Sequence, residues 1–98
     1  MRYEHRALPV PLEAAAGAAF RVDDLRDLVV QVSGTFDATL QIEGRAAAGG
    51  AWLPVGDPIT AAGWYPVDQA LHAVRMATTV YGSGAPVAVL AGRNHRGE

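Results

Sequence analysis

From residue 18 onward, apolar and polar positions alternate with a period of two, the spacing that hides every second side chain of an extended strand. In Leu28-Val29-Val30-Gln31-Val32-Ser33, Leu28, Val30 and Val32 share one face and Val29, Gln31 and Ser33 the other. After Gly34, Thr39-Leu40-Gln41-Ile42-Glu43 alternates again with Leu40 and Ile42 inward, and the short separation predicts that these two strands pair antiparallel. Trp52-Leu53-Pro54-Val55 is a short strand ended by Gly56-Asp57-Pro58, and Ile59-Thr60 another short piece. Trp64-Tyr65-Pro66-Val67 suits a sheet edge, because Pro66 has no N–H for a ladder. Leu71 to Val80 places His72, Val74, Met76, Thr78 and Val80 on one face. A helix competes for its first half, but the β-branched Thr78-Thr79-Val80 favour a strand. Gly82-Ser83-Gly84 predicts a hairpin turn, and Pro86 to Ala91 the closing strand.

Ahead of this pattern, Pro9 and Pro11 favour extended backbone, and Leu12 to Ala16 could add at most one helical turn, so residues 1–17 are expected as an extended arm. Residues 18–92 form the sandwich domain in this reading, and 93–98, mixing Gly with Arg and His, a flexible tail. Short strands punctuated by Gly and Pro predict an all-β fold, a single antiparallel β-sandwich of jelly-roll or Ig-like type with about seven or eight strands.

Ninety-eight residues, 50% hydrophobic and 18% charged, suit one domain with one core. The net charge of -2 and eight scattered basic residues, all arginine, provide no field for a phosphate backbone, so nucleic acid is not an expected partner. Without cysteine there are no disulfides or thiolate metal ligands. Met1 to Ala7 lacks the apolar centre of a signal peptide, and no apolar run approaches the roughly 20 residues that span a bilayer, so no membrane partner is expected.

Little chemistry is visible. His5, His72 and His95 lie far apart, and His72 is expected as a core or sheet-face residue. Asp23, Asp24 and Asp27 are a dense acidic group, but their spacing fits no EF-hand loop, and a solvated turn whose aspartates cap backbone N–H groups accounts for them. Val32-Ser33-Gly34 lacks the glycine of a nucleophile elbow, and Gly82-Ser83-Gly84 has neither a lysine nor a following helix for phosphate. These absences predict no enzyme, no metal and no cofactor. Among the aromatics Trp52, Trp64, Tyr65 and Tyr81, Trp52 is expected to fill the core. Trp64 and Tyr65 are strand neighbours on opposite faces, so one of them looks outward.

Val30-Gln31-Val32-Ser33-Gly34-Thr35-Phe36, Thr39-Leu40-Gln41-Ile42-Glu43-Gly44, Trp52-Leu53-Pro54-Val55-Gly56, Ala62-Gly63-Trp64-Tyr65-Pro66-Val67, Ala73-Val74-Arg75-Met76 and Val87-Ala88-Val89-Leu90 form one string. It resembles the small β-sandwich structural proteins of tailed bacteriophage virions. Arg45 to Ala51 departs from the Ser, Asn and Asp-rich loop expected before the tryptophan, which weakens any polar ligand cradle there. The resemblance implies a virion component: a head decoration or minor capsid protein that binds the major capsid protein or other virion proteins and itself as a homo-oligomer, or one at the neck or tail. Contacts are expected from Pro9, Val10, Pro11 and Leu12 of the arm and from the exposed member of Trp64 and Tyr65. Arg75 is expected to pair with a carboxylate on a neighbouring strand. The rival expectation is a carbohydrate-binding module that stacks a glycan on its aromatics.

Overall fold

The computed structural model describes residues 2–94, Arg2 by its backbone only. In chain order the strands are β1 (Arg2–Leu8), β2 (Ala15–Ala16), β3 (Phe20–Arg21), β4 (Leu25–Ser33), β5 (Phe36–Arg45), β6 (Leu53–Pro54), β7 (Gly63–Val67), β8 (Ala73–Gly84) and β9 (Val87–Asn94). They form two antiparallel sheets, the first in the order β1-β9-β4-β7 and the second β2-β8-β5-β6, with β3 also on β8. No described residue is helical. The smallest extent, 19 Å, is that of two sheets about 10 Å apart with their outer side chains.

The inward rows meet in one core. Leu28, Val30 and Val32 of β4, with Leu8, Ala88 and Leu90, face Ala38, Leu40 and Ile42 of β5 and Val74 and Met76 of β8. Leu40, Ile59, Met76 and Leu90 are wholly buried, each stabilising the fold by about 1.5–3 kcal/mol relative to exposure. Ile59 gets there through an isolated bridge to Leu40, where a short strand was expected.

The expected pairing of residues 28–33 with 39–43 does not occur. β4 lies in the first sheet between β7 and β9, and β5 in the second between β6 and β8. A hairpin would set the two apolar rows side by side; crossing from sheet to sheet lets them bury each other. Gly82 to Gly84 is likewise no hairpin, because β8 and β9 belong to different sheets. The two crossings press together. Gly34 and Gly84 both have positive φ (95° and 86°), and a Cβ on Gly84 would overlap the Thr35 carbonyl and Phe36 Cα.

The alternation of β8 also breaks. Leu40 stands opposite Thr78 and Thr39 opposite Val80, so Thr79 is an extra residue; Gly82 is a second, between partners of Ala38 and Asp37. Val80 is turned outward, 62% exposed, and Tyr81 packs on the core.

The N-terminal stretch is corrected most. Arg2 to Leu8 is in register with β9 along its full length, and Leu8 is in the core, so the extended backbone is a strand of the sandwich and not an arm. Its inward positions Glu4 and Arg6 lie at the sandwich rim, so the strand lacks apolar alternation. Residues 9–17 strap the first sheet to the second, held by Thr78 Oγ1 donating to the Pro11 carbonyl at 2.7 Å and Gly17 N–H to Met76 at 2.8 Å. Arg93 and Asn94, expected in a tail, pair with Arg26 and Leu25 of β4. Residues 95–98, His95 among them, lie outside the described residues.

Candidate interaction surface

The outer face of the first sheet is built by register. One row crosses all four strands as Ala7, Val89, Gln31 and Trp64, and the next as His5, Ala91, Val29 and Pro66. Val87 and Ser33 continue it at one end, Tyr3 and Arg93 at the other. Trp64 and Tyr3 are each 66% exposed, and Val87 51%. A sheet with one solvated face normally turns polar side chains to it. Here β9 is apolar on both faces: Ala88 and Leu90 point into the core, Val87, Val89 and Ala91 away from it.

The second sheet differs. Its outer positions on β5 are Thr39, Gln41, Glu43 and Arg45, and the chain between β5 and β7 closes over them. Gln41 is buried and donates through Nε2 to the carbonyls of Ile42, Val55 and Gly56. Trp52 is not in the core. Its ring lies under two guanidinium groups, Arg45 at 4.7 Å and Arg75 at 4.4 Å, and Arg75 Nε donates to Glu43 at 2.7 Å, the cross-strand carboxylate expected from the sequence. Arg45, Trp52 and Arg75 meet only because β5 and β8 pair Arg45 with Ala73 and Glu43 with Arg75, which no local spacing announces. A cleft of about 460 Å³ beside this loop is lined mainly by Ala46, Ala47, Ala51, Leu53 and Leu71, with few polar groups to orient a ligand.

At the rim each of the three aspartates has an arginine: Arg21 to Asp23 at 2.7 Å, Arg6 to Asp24 at 3.7 Å, and Arg93 to Asp27 at 3.5 Å. Asp23 and Asp24 form the turn between β3 and β4, with Leu25 N–H bonded to the Val22 carbonyl. The hydrogen bond from Arg21 holds Asp23 below the ordinary carboxylate range. Asp27 takes a positive φ of 56° where β4 carries an extra residue against β9. Among the described residues no three His, Asp or Glu side chains converge as a metal site requires. His72 is half-buried just before β8, and its backbone N–H donates to the Arg45 carbonyl; its ring Nδ1 has no hydrogen-bond partner among the described residues.

The residues expected to make contacts divide. Trp64 faces outward, whereas Tyr65 turns toward the core and donates to the Ala61 carbonyl. Pro9 and Leu12 are exposed, Val10 packs against the core and Pro11 is half-buried in the strap. Residues 9–12 leave the sheet at β1 and Trp64 lies on β7, three strand spacings or about 14 Å across, so they do not form one patch. The apolar outer row of β9 was missed, although its signal, an unbroken apolar run from Val87 to Ala91, stands in the sequence.

No protein-family model matches the chain, and no curated protein matches it. Solved structures do. The SPBc2 prophage-derived protein YomS superposes with a TM-score of 0.78 over 94% of each chain at 14% identity. The PBSX exported protein XepA gives 0.70 at 18% identity over 93% of this chain and 37% of its own. The two-sheet fold is shared with both. The chain thus spans the length of YomS but little more than a third of XepA.

Proposed function

We propose that this is a non-enzymatic structural protein of a bacteriophage virion, a head decoration or minor capsid protein that holds the major capsid protein through the outer face of its first sheet. The observation that carries the reading is the end-to-end match to a prophage-derived protein, 94% of either chain. The surface supports it: a strand apolar on both faces is what a sheet covered on both sides requires, and β9 has a core on one side only. The face from Ala7 to Trp64 is therefore the side a neighbour covers, with Trp64 as its aromatic anchor. A glycan platform fits less well, because Tyr65 points inward and Trp64 is left as a single ring at the sheet edge.

Mass spectrometry of gradient-purified particles from the source phage tests the reading. The chain is expected in the particles at a fixed ratio to the major capsid protein. Its absence from particles while abundant in the lysate overturns the proposal, and its presence only in capsid-free tails moves it to the tail.

A further inference from the structure

The two sheets have four edges, and three are guarded. β7 carries Pro66, β6 carries Pro54, and β2 and β3, which share the edge along β8, are two residues long each. The fourth, β1, runs seven residues without proline or bulge in unbroken register with β9, and no described strand pairs with its other side. Such an edge is a template for one more strand.

We infer that the occupant is β1 of a second copy, joined antiparallel about a two-fold axis at His5. Four strands from each copy then make one continuous sheet. The register follows from charge. Residues directly opposite in an antiparallel pair share a face, so under two-fold symmetry of this kind their numbers sum to an even value. A sum of 8 sets Glu4 against Glu4, and a sum of 12 sets Arg6 against Arg6. A sum of 10 sets Glu4 opposite Arg6 twice, with Tyr3 opposite Ala7 and His5 on the axis. A sum of 6 overlaps only residues 2–4 and so pairs fewer residues.

The side chains are held for this. Asn94 Nδ2 donates to Glu4 at 3.2 Å, and Arg6 Nη1 donates to the Arg21 carbonyl at 3.2 Å with Asp24 at 3.7 Å. A guanidinium has five donors and a carboxylate about four acceptor sites, so a cross-edge pair adds to these bonds without replacing them. The Arg6 side chain keeps 26% exposure, enough to be reached. Charged residues turned inward on an edge strand ordinarily discourage pairing; here they reject the registers that stack like charges. The axis runs perpendicular to the sheet, so both apolar outer faces look the same way and a dimer presents two docking faces to one surface.

Because the chain has no cysteine, the axis can be probed covalently. Opposite Cα atoms of an antiparallel pair lie about 4.5–5.5 Å apart, within disulfide range. Under mild oxidation His5→Cys is expected to give a covalent dimer and Tyr3→Cys none, because two Tyr3 positions would lie four residues apart along the paired strands. In sedimentation equilibrium the wild-type chain is expected as a dimer. Glu4→Arg and Arg6→Glu are each expected to bind themselves at least tenfold more weakly, and to form a heterodimer when mixed, since both cross-edge pairs are then complementary. A monomeric wild type, a larger ring, a folded Glu4→Arg variant that dimerises like wild type, or equal cross-linking at residues 3 and 5 overturns the inference. If Arg6→Glu loses its fold with its contact to Asp24, the Glu4→Arg and cysteine results decide. None of these measurements involves particles, so failure here is distinct from failure of the virion reading.

Discussion

The Trp52 ring lies under the guanidinium groups of Arg45 and Arg75, with Glu43 holding the second, and these contacts pin the 46–52 loop to the outer face of the second sheet. Trp52→Ala removes two cation–π contacts and is expected to lower stability by about 1–2 kcal/mol in urea unfolding, with Arg75→Lys intermediate because an ammonium cannot lie flat on the ring. Asp23 supplies a pH signature. Its carboxyl is depressed in the folded chain by Arg21, so its contribution to folding is present above the ordinary carboxylate pKa and is lost as pH falls through the depressed value. An NMR titration is expected to place Asp23 below a free aspartate and to return it to the ordinary range in Arg21→Gln. The pairing of Arg75 with a carboxylate was legible in the sequence. The stack with Trp52 was not, because alternation marks a side chain's face and says nothing of the loop that crosses it.

Neighbouring residues on β9 do opposite work. Leu90 is wholly buried between the sheets, and Leu90→Ala is expected to cost about 2–5 kcal/mol in thermal or denaturant unfolding. Val89 points away from the core, and Val89→Asp is expected to change stability by less than about 1 kcal/mol while abolishing co-sedimentation with particles. A folded variant that still binds would show that the outer face is not the docking surface. The same strand shows how far a pattern can be followed. Alternation located β4, β5 and β7 and identified Pro66 as an edge residue, which the sheet order bears out. It went wrong on β8, where the bulges at Thr79 and Gly82 turn Val80 outward and Tyr81 inward. A bulge depends on the partner strand and leaves no mark on the strand that carries it.

At the scale of the molecule, β1 and β9 bring the two ends of the described chain side by side. Deleting residues 2–8 removes Leu8 from the core and bares the edge of β9, so it is expected to abolish cooperative unfolding and to bring on dye binding by exposed apolar surface. A deletion variant that melts like wild type would restore the view of this segment as an extended arm outside the sandwich.

The sequence alone determined that the chain is all-β, where most strands run and, outside the bulged half of β8, which of their side chains point inward, because period two and the punctuation of Gly and Pro are local properties of the backbone. Only the tertiary structure decided which sheet each strand joins, that β4 faces β5 across the core, that Arg2 to Leu8 closes the first sheet, and that one sheet keeps a bare apolar face. The physical reason is that apolar rows such as Leu28-Val30-Val32 and Leu40-Ile42 can bury themselves beside or against one another at similar local cost. The choice rests on contacts between residues far apart in the chain.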